Sequence, residues 1–384
     1  MRVLITGGGT GGHLYPALAV AGLLRKFDPD GDILFVGTGE GLESKVVPEA
    51  GYSFHKIAAG KWPRNISFKA ISDLVSLGKG YLQGVGIIKE FHPHAVFATG
   101  GYVSVPLGLA AASLRVPLFL HEQNSIPGMA NKLLSRWAKI TFTTFPHDKG
   151  SFPSRAKIVH SGLPVRSEIL QVDRLQGFRY FGLDPETFTV LVTGGSRGAR
   201  RINQVMLEVY RKISLGNSVL SQLQVIHLTG SAEYRKICQE MERMGLNTDK
   251  IGKLVIKPYL HEMEYALKVA DLVISRAGAA TLAEITALGI PAILIPYPFA
   301  TGDHQYHNAR YLESQGAAVL IPEKELTPAG LLKEIEKLAG DKNLREKMSR
   351  KSLRIGRPEA GELIVRTLLN VGKKSLCTST ASKT

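Results

Sequence analysis

Short apolar runs rich in β-branched residues recur at 2–6, 32–36, 95–98, 116–120 and 139–143, with stretches of helical character between them. The alternation starts again at 188–193 and continues through 223–229, 253–257, 272–275 and 291–295. A strand buried on both faces has no polar side to show. Near-continuous apolar strands alternating with helices are therefore the pattern of parallel sheets covered by helices. The expected fold is α/β, two Rossmann-like parallel-sheet domains. Gly and Pro punctuate Ser161-Gly162-Leu163-Pro164-Val165-Arg166 just before the second series, and this stretch reads as the linker. The expected boundaries are 1–164 and 165–356. Residues 357–370 read as a last amphipathic helix that packs back on the first domain, and 371–384, a polar stretch of Lys, Ser and Thr, as a disordered tail. Ligands of open α/β sheets bind beyond the carboxyl ends of the strands, so the two domains are expected to face a common cleft.

Composition narrows the classes. At 384 residues the chain exceeds one ordinary core and fits two. Its 44 % hydrophobic and 21 % charged content is globular, and no apolar run approaches the roughly 18 to 20 residues of a membrane-spanning helix. The chain opens on a strand and a glycine loop rather than a secretory leader, which points to the cytoplasm. Cys238 and Cys377 lie too far apart in sequence to suggest a disulfide framework. A net charge of +15 favours anionic partners: a nucleotide, nucleic acid or an anionic membrane face. No basic stripe interleaved with aromatics and no nucleic-acid reading motif accompanies it, so nucleic acid is not expected. Residues 61–89 mix Lys and Arg with Trp62, Ile66, Phe68, Ile71, Leu74, Leu77 and Tyr81. These apolar residues read first as the core face of a helix. Exposed, they would suit docking on an anionic membrane surface without insertion.

The first strand runs into Gly7-Gly8-Gly9-Thr10-Gly11-Gly12-His13 at the mouth of a helix. Glycines let a ligand approach the backbone, and the helix N-terminus favours an anion, so the loop reads as a phosphate or sugar site with His13 as a titratable group. Gly7, Gly9 and Gly12 also fit the dinucleotide fingerprint, but the second strand ends in Gly37-Thr38-Gly39, without the acidic residue that would hold an NAD ribose. A second loop, Gly194-Gly195-Ser196-Arg197-Gly198-Ala199, fits both a phosphate loop and the nucleophile elbow of a serine hydrolase, with Asp303 and His307 downstream. Asp303, His304 and His307 could be read as metal ligands. The plainer reading is a polar helix start with Asp303 as its cap, and no further ligands complete a set. A third loop, Arg276-Ala277-Gly278-Ala279-Ala280-Thr281, opens a helix whose first N–H groups can take a diphosphate. Glu284, about one turn on, can accept two ribose hydroxyls.

Taken in order, these segments resemble the MurG family, the cytoplasmic glycosyltransferases of peptidoglycan synthesis. The opening motif stands as Gly8-Gly9-Thr10-Gly11-Gly12-His13-Leu14-Tyr15-Pro16-Ala17, followed by Thr99-Gly100-Gly101-Tyr102-Val103-Ser104 and His121-Glu122-Gln123-Asn124. The glycine loop at 194–199 and the segment from Arg276 to Glu284 follow, so the resemblance covers the chain apart from its tail. It implies a GT-B architecture and inverting transfer of N-acetylglucosamine from UDP-GlcNAc to the 4-hydroxyl of the muramoyl sugar of lipid I, giving lipid II, at the cytoplasmic face of the membrane. A UDP-sugar epimerase of the same architecture and an NAD-dependent oxidoreductase are the alternatives. By residue match the donor would be held by Thr10, Gly11, Gly12, Asn124, Arg166 and Ser196, by the Leu260 backbone at the uracil, by Ala279, Ala280 and Thr281 at the diphosphate, by Glu284 at the ribose and by Gln305 at the sugar. His13, Tyr102 and Glu122 would line the acceptor side, with His13 the expected base and acceptor orientation its rival role. No metal and no cofactor is implied. Leu163, Arg197 and Tyr306 depart from the family pattern, which has amides there; of these, Leu163 weakens a polar contact from the linker.

Overall fold

The computed structural model describes residues 1–60, 68–148, 150–195, 198–215, 223–246 and 252–380, with side chains described outside 68–71 and 372–380. Two compact units divide the chain, one formed by Met1–Val165 with Arg357–Thr384, the other by Arg166–Gly356.

In the first unit β1 (Arg2–Thr6), α1 (Gly11–Phe27), β2 (Asp32–Gly37), α2 (Glu43–Glu49), β3 (Ser53–Lys56), α3 (Phe68–Phe91), β4 (Ala95–Ala98), α4 (Ser104–Ser113), β5 (Leu118–Glu122), α5 (Met129–Leu134), β6 (Ile140–Thr143) and β7 (Ile158–His160) follow one another. In the second come α6 (Ser167–Gln171), α7 (Arg174–Phe181), β8 (Thr189–Thr193), α8 (Arg200–Ser214), β9 (Gln224–Leu228), α9 (Tyr234–Arg243), β10 (Lys253–Lys257), α10 (Met263–Val269), β11 (Leu272–Ser275), α11 (Ala279–Leu288), β12 (Ala292–Leu294), α12 (His304–Ser314), β13 (Ala318–Leu320), α13 (Pro328–Gly340) and α14 (Lys342–Ile355). The last helix, α15 (Ala360–Thr380), returns to the first unit.

Both sheets are parallel, as the continuous apolar strands require. Their orders are β3-β2-β1-β4-β5-β6-β7 and β10-β9-β8-β11-β12-β13. Each order reverses once, between β1 and β4 and between β8 and β11. A crevice opens at such a switch point because the chain leaves the two neighbouring strands toward opposite faces. The loops at 7–13 and 99–104 thus meet at one switch point, and Gly194, Gly195, Gly198 and Ala199 lie with the loop at 276–281 at the other.

The first sheet separates two apolar layers. Val3, Ile5, Phe97 and Phe119 pack with α1 and with Ile364, Val365 and Leu368 of α15, while Leu4, Val96 and Leu120 pack with Val103 just before α4, Leu107 of α4 and Leu134 of α5. In the second sheet Val190, Val192 and Ile274 pack with Ile202, Met206 and Tyr210 of α8 and with Leu331, Ile335 and Leu338 of α13.

Three strands escaped the hydrophobic pattern, and all three are sheet edges: β3, β7 and β13. β3, Ser-Phe-His-Lys, is mostly exposed and β7 only half-buried at its centre. At β3 and β7 the solvent-open edge carries no unbroken apolar run to detect, whereas β13 is an apolar Ala-Val-Leu that the pattern passed over. The strand expected at 116–120 lies at Leu118–Glu122, because Val116 still caps the preceding helix by donating to the Ala111 carbonyl at 2.9 Å. His121 and Glu122 are therefore strand residues. The stretch expected as a disordered tail from 371 is instead helical as far as Thr380. No proline follows Pro358, so nothing in the backbone stops α15 where the apolar spacing fades.

Leu368 is fully buried in the first core, so Leu368→Ala should cost about 2 to 5 kcal/mol in denaturant unfolding. A loss under about 0.5 kcal/mol would mean that α15 contributes little to that core.

Candidate active site

At the first switch point, Gly9 adopts a left-handed φ of 81° and the ring of Tyr102 lies against it, 3.3 Å from where a Cβ would stand. Gly101, with φ of 83°, brings the second loop so close that a Cβ there would sit 2.6 Å from the Gly8 carbonyl. Glycine is required on both counts. Thr10 occupies the N-cap position of α1 with no side-chain cap bond, so the N–H groups of Gly11 and Gly12 precede the first intrahelical hydrogen bond. Thr10 and Gly12 are exposed and Gly11 is half-buried.

One residue that sequence reasoning missed governs this loop. Glu43, buried at the start of α2, accepts hydrogen bonds from Gly9 N at 3.1 Å, Thr38 N at 3.1 Å and Thr38 Oγ1 at 2.7 Å. Side chains at Gly8 or Gly41 would strike its carboxylate. Nothing in the sequence singled it out from Glu40, the acid flanked by glycines just beyond β2. The Glu43 oxygens are committed to the protein's own loops, which leaves no ribose carboxylate at the end of β2 and weighs against the NAD reading.

His13 is half-buried in the first turn of α1. Its Nδ1 lies 2.9 Å from the Thr99 carbonyl and 3.0 Å from Gln123 Oε1. Beside it, Glu122 is buried with four protein donors: Asn124 N at 3.0 Å and Asn124 Nδ2 at 3.5 Å on Oε1, Gly128 N at 2.9 Å and Asn131 Nδ2 at 2.8 Å on Oε2. This carboxylate organises the loop between β5 and α5. His121, fully buried, has its pKa lowered to about 4 by burial, only partly offset by its hydrogen bond to the Gly162 carbonyl, and is neutral.

In the second unit Gly278 takes the N-cap position of α11, φ −67° and ψ 137°, with no side-chain cap bond. The first N–H groups of the helix, at Ala279, Ala280 and Thr281, therefore face outward along the positive end of the helix dipole. Glu284 lies one turn further, 19 % exposed, with the 44 % exposed Arg166 guanidinium 3.6 Å away. Burial pushes the Glu284 carboxyl up to about 7; Arg166 lowers it, and Glu264 nearby raises it further.

Gln305, in the first turn of α12, accepts from Ala277 N at 3.2 Å and Tyr297 N at 3.0 Å through Oε1, so its amide NH2 is the end left to donate. Arg276 is consumed by the scaffold: it donates to the carbonyls of Ile295 and Pro296 and pairs with Glu323. Leu260 is buried in the loop after β10, and Tyr306 is exposed on α12. Ser196 and Arg197, the centre of the elbow motif, lie outside the described residues. Behind that loop a buried chain runs from Tyr210 Oη to His227 Nδ1 at 3.1 Å, from His227 Nε2 to Asn203 Oδ1 at 3.1 Å, and from Asn203 Nδ2 to the Thr229 carbonyl at 2.9 Å. The Thr229 carbonyl abuts Gly198, where no Cβ would fit, so this chain fixes the wall behind the glycine loop.

Among the described residues no three His, Cys, Asp or Glu side chains gather as a metal-ligand set. Asp303 does hold the N-cap position of α12, in a left-handed conformation at φ 50°, without a side-chain cap bond. The structure thus gathers His13, Tyr102, Glu122 and Asn124 with the Thr10–Gly12 loop in the first unit, and Arg166, Glu284, Gln305 and the α11 N-terminus in the second.

Comparison with known proteins follows the same division. The glycosyltransferase family 28 N-terminal domain matches residues 3–143 and the family's C-terminal domain residues 189–364. The UDP-N-acetylglucosamine–N-acetylmuramyl-(pentapeptide) pyrophosphoryl-undecaprenol N-acetylglucosamine transferase of Desulforamulus reducens is 46% identical over 361 residues, 94% of this chain and 96% of that protein. The crystal structure of Acinetobacter baumannii MurG superposes with a TM-score of 0.76 at 26% identity, covering 96% of this chain and 99% of that one, so the fold is GT-B. UDP-GlcNAc 2-epimerase from Neisseria meningitidis, bound to UDP-GlcNAc, gives a TM-score of 0.64 at 14% identity over 96% of this chain and 100% of that one, a likeness of fold alone.

A carboxyl-selective NMR titration should place the Glu284 midpoint near 7, and Arg166→Ala should move it higher, since the guanidinium is what favours the ionised form. A wild-type midpoint at the ordinary glutamate value of about 4.3 would show that burial does not act on this group.

Proposed function

Since the chain belongs to glycosyltransferase family 28, we propose that it moves N-acetylglucosamine from UDP-GlcNAc to the 4-hydroxyl of the muramoyl sugar of lipid I, the undecaprenyl-diphosphate-linked muramoyl-pentapeptide, to form lipid II for peptidoglycan. The observation that carries this reading is identity to relatives named for that transfer across both domains. The epimerase alternative rests on fold alone and the oxidoreductase alternative lacks its ribose carboxylate.

The chemistry divides between the domains. In the second, the N–H groups of Ala279, Ala280 and Thr281 and the Arg166 guanidinium receive the diphosphate, the Glu284 carboxylate accepts the ribose hydroxyls, the Leu260 backbone meets the uracil and the Gln305 amide NH2 donates to the sugar. As the C1–O bond to UDP breaks, its electron pair passes to the diphosphate, and fixed N–H dipoles and a cation stabilise that charge. In the first, His13 takes the proton of the acceptor hydroxyl while its oxygen bonds to C1 from the opposite face, inverting that centre. Tyr102 lines this side, while the Thr10–Gly12 loop and Asn124 add to the contacts of the donor. Glu122, with its lone pairs already engaged, shapes the loop that presents Asn124.

An exposed apolar and basic surface supports a peripheral position on the membrane. Leu74, Val75 and Leu82 of α3 are exposed beside Lys79, and Met129 and Trp137 are exposed beside Lys132 and Arg136. Helices α3, α4 and α5 share one layer of the first sheet. Leu77 and Tyr81 are half-buried, as a core face would have them, whereas Trp62 and Ile66 lie outside the described residues and the side chains of Phe68 and Ile71 are not described. No helix among the described residues is long and apolar enough to cross a bilayer.

Kinetics test the assignments. Glu284→Ala removes charged hydrogen bonds worth about 1.5 to 3 kcal/mol each, present in ground and transition states alike, so donor KM should rise at least about tenfold with kcat little changed. His13→Ala should lower kcat by about 10² to 10⁴ at nearly constant donor KM, and His13→Gln should not restore it. Rescue by Gln would make His13 an orienting group, and an unchanged donor KM in Glu284→Ala would sink the ribose assignment.

Vesicle sedimentation tests the surface. The protein should bind anionic vesicles at low salt and release as salt rises, with Leu74→Ser, Leu82→Ser weakening binding. Equal binding to neutral vesicles, or none to anionic ones at low salt, would contradict the reading.

A further inference from the structure

A chain of buried hydrogen bonds determines which nitrogen of His13 can act, and its logic can be followed atom by atom. His121 and Gln123 stand two positions apart at the end of β5, so they share one face while Glu122 points to the other. His121 Nε2 lies 2.9 Å from the Gly162 carbonyl, an acceptor only. That nitrogen therefore carries the proton, and Nδ1 of the neutral ring carries a lone pair. Gln123 Nε2 sits 3.2 Å from His121 Nδ1, 2.8 Å from the Thr99 carbonyl and 3.0 Å from the His121 carbonyl. Three acceptors surround this atom, so it must be the amide NH2, and the amide oxygen is left facing His13. His13 Nδ1 then lies against two acceptors, Gln123 Oε1 at 3.0 Å and the Thr99 carbonyl at 2.9 Å, and must be N–H.

We propose that Gln123 is a positioning residue that holds His13 in the Nδ1–H tautomer, and that His121 sets the direction of the Gln123 amide. The consequence is a lone pair on His13 Nε2, the form a general base needs. A reversed amide would press its oxygen against three acceptors and set NH2 against His13 Nδ1, leaving the Thr99 carbonyl alone to hold the proton there and admitting the Nε2–H form, which cannot act as base. Burial strengthens the constraint, since Gln123 and His121 are 1 % and 0 % exposed and water cannot substitute for a misdirected partner. Neither residue reaches substrate; both act through His13. The tautomer assignment rests on contacts alone, and its catalytic meaning rests on His13 being the base.

The test is long-range ¹H–¹⁵N NMR on the full chain labelled at histidine, the His13 signals being identified by their loss in His13→Ala. Wild-type His13 should be protonated at Nδ1, and a wild-type ring protonated at Nε2 would overturn the proposal without any further variant. Gln123→Met, close in volume but without the amide, removes one of the two acceptors on Nδ1, and His121→Phe frees the amide to turn; each should raise the share of the Nε2–H form above wild type, with the Thr99 carbonyl still holding part of the population as Nδ1–H. Both variants should lower kcat by about tenfold with donor KM within about twofold, because neither side chain is among the groups assigned to the donor. An unchanged His13 tautomer in both variants would reject the relay. Normal turnover by His13→Ala would instead reject the base assignment, leaving the tautomer result to stand or fall separately.

Discussion

The carbonyl of Thr99 is the point from which the first domain's site hangs. It sits where β4 leaves the switch point and accepts hydrogen bonds from both His13 and Gln123. A glycine-rich loop must be open enough for a ligand to reach its backbone, which makes it intrinsically loose. Here looseness is removed from behind. Thr99 Oγ1 donates to the His13 carbonyl at 2.8 Å, Glu43 ties down Gly9, and Glu122 ties down Gly128. The ligand-facing surface stays bare because the restraints are buried side chains on the protein's side of the loop.

The second domain answers the same problem with different atoms. The Tyr210–His227–Asn203 chain fixes the Thr229 carbonyl under Gly198, and burial lowers the His227 pKa to about 3, so no charge enters that core. Two arginines lie near the α11 N-terminus with opposite fates. Arg276 is only 12 % exposed and closed in by Glu323 and two carbonyls, a scaffold cation. Arg166 is half-exposed and meets Glu284 only at 3.6 Å, a loose pair in which the guanidinium is not closed in by the scaffold.

Much of this could be read from the sequence, for a physical reason. Central strands such as Val190 to Val192 are buried on both faces, and the glycine loops must follow them, so strand pattern and loop chemistry mark the switch points together. Edge strands such as Ser53–Lys56 carry no such pattern. Glu43 was invisible because its partners, Thr38 and Gly9, become neighbours only when β1 and β2 pair. The motif at 121–124 gave tasks to Glu122 and Asn124 but none to His121 and Gln123. The alternation of β5 separates them, sending His121 and Gln123 toward His13 and Glu122 toward the loop before α5. The length of α15 was misjudged because apolar spacing fades at Asn370 while helix-compatible backbone continues.

The most direct measurement of the central claim is the identity and anomeric configuration of the product. Purified protein supplied with UDP-GlcNAc and a soluble lipid I analogue should release UDP and yield a disaccharide whose new bond, by NMR coupling at C1, is β from an α-linked donor. An α-linked product would contradict displacement assisted by a single base. UDP release without a disaccharide, or a C2-epimerised sugar, would contradict the transfer itself.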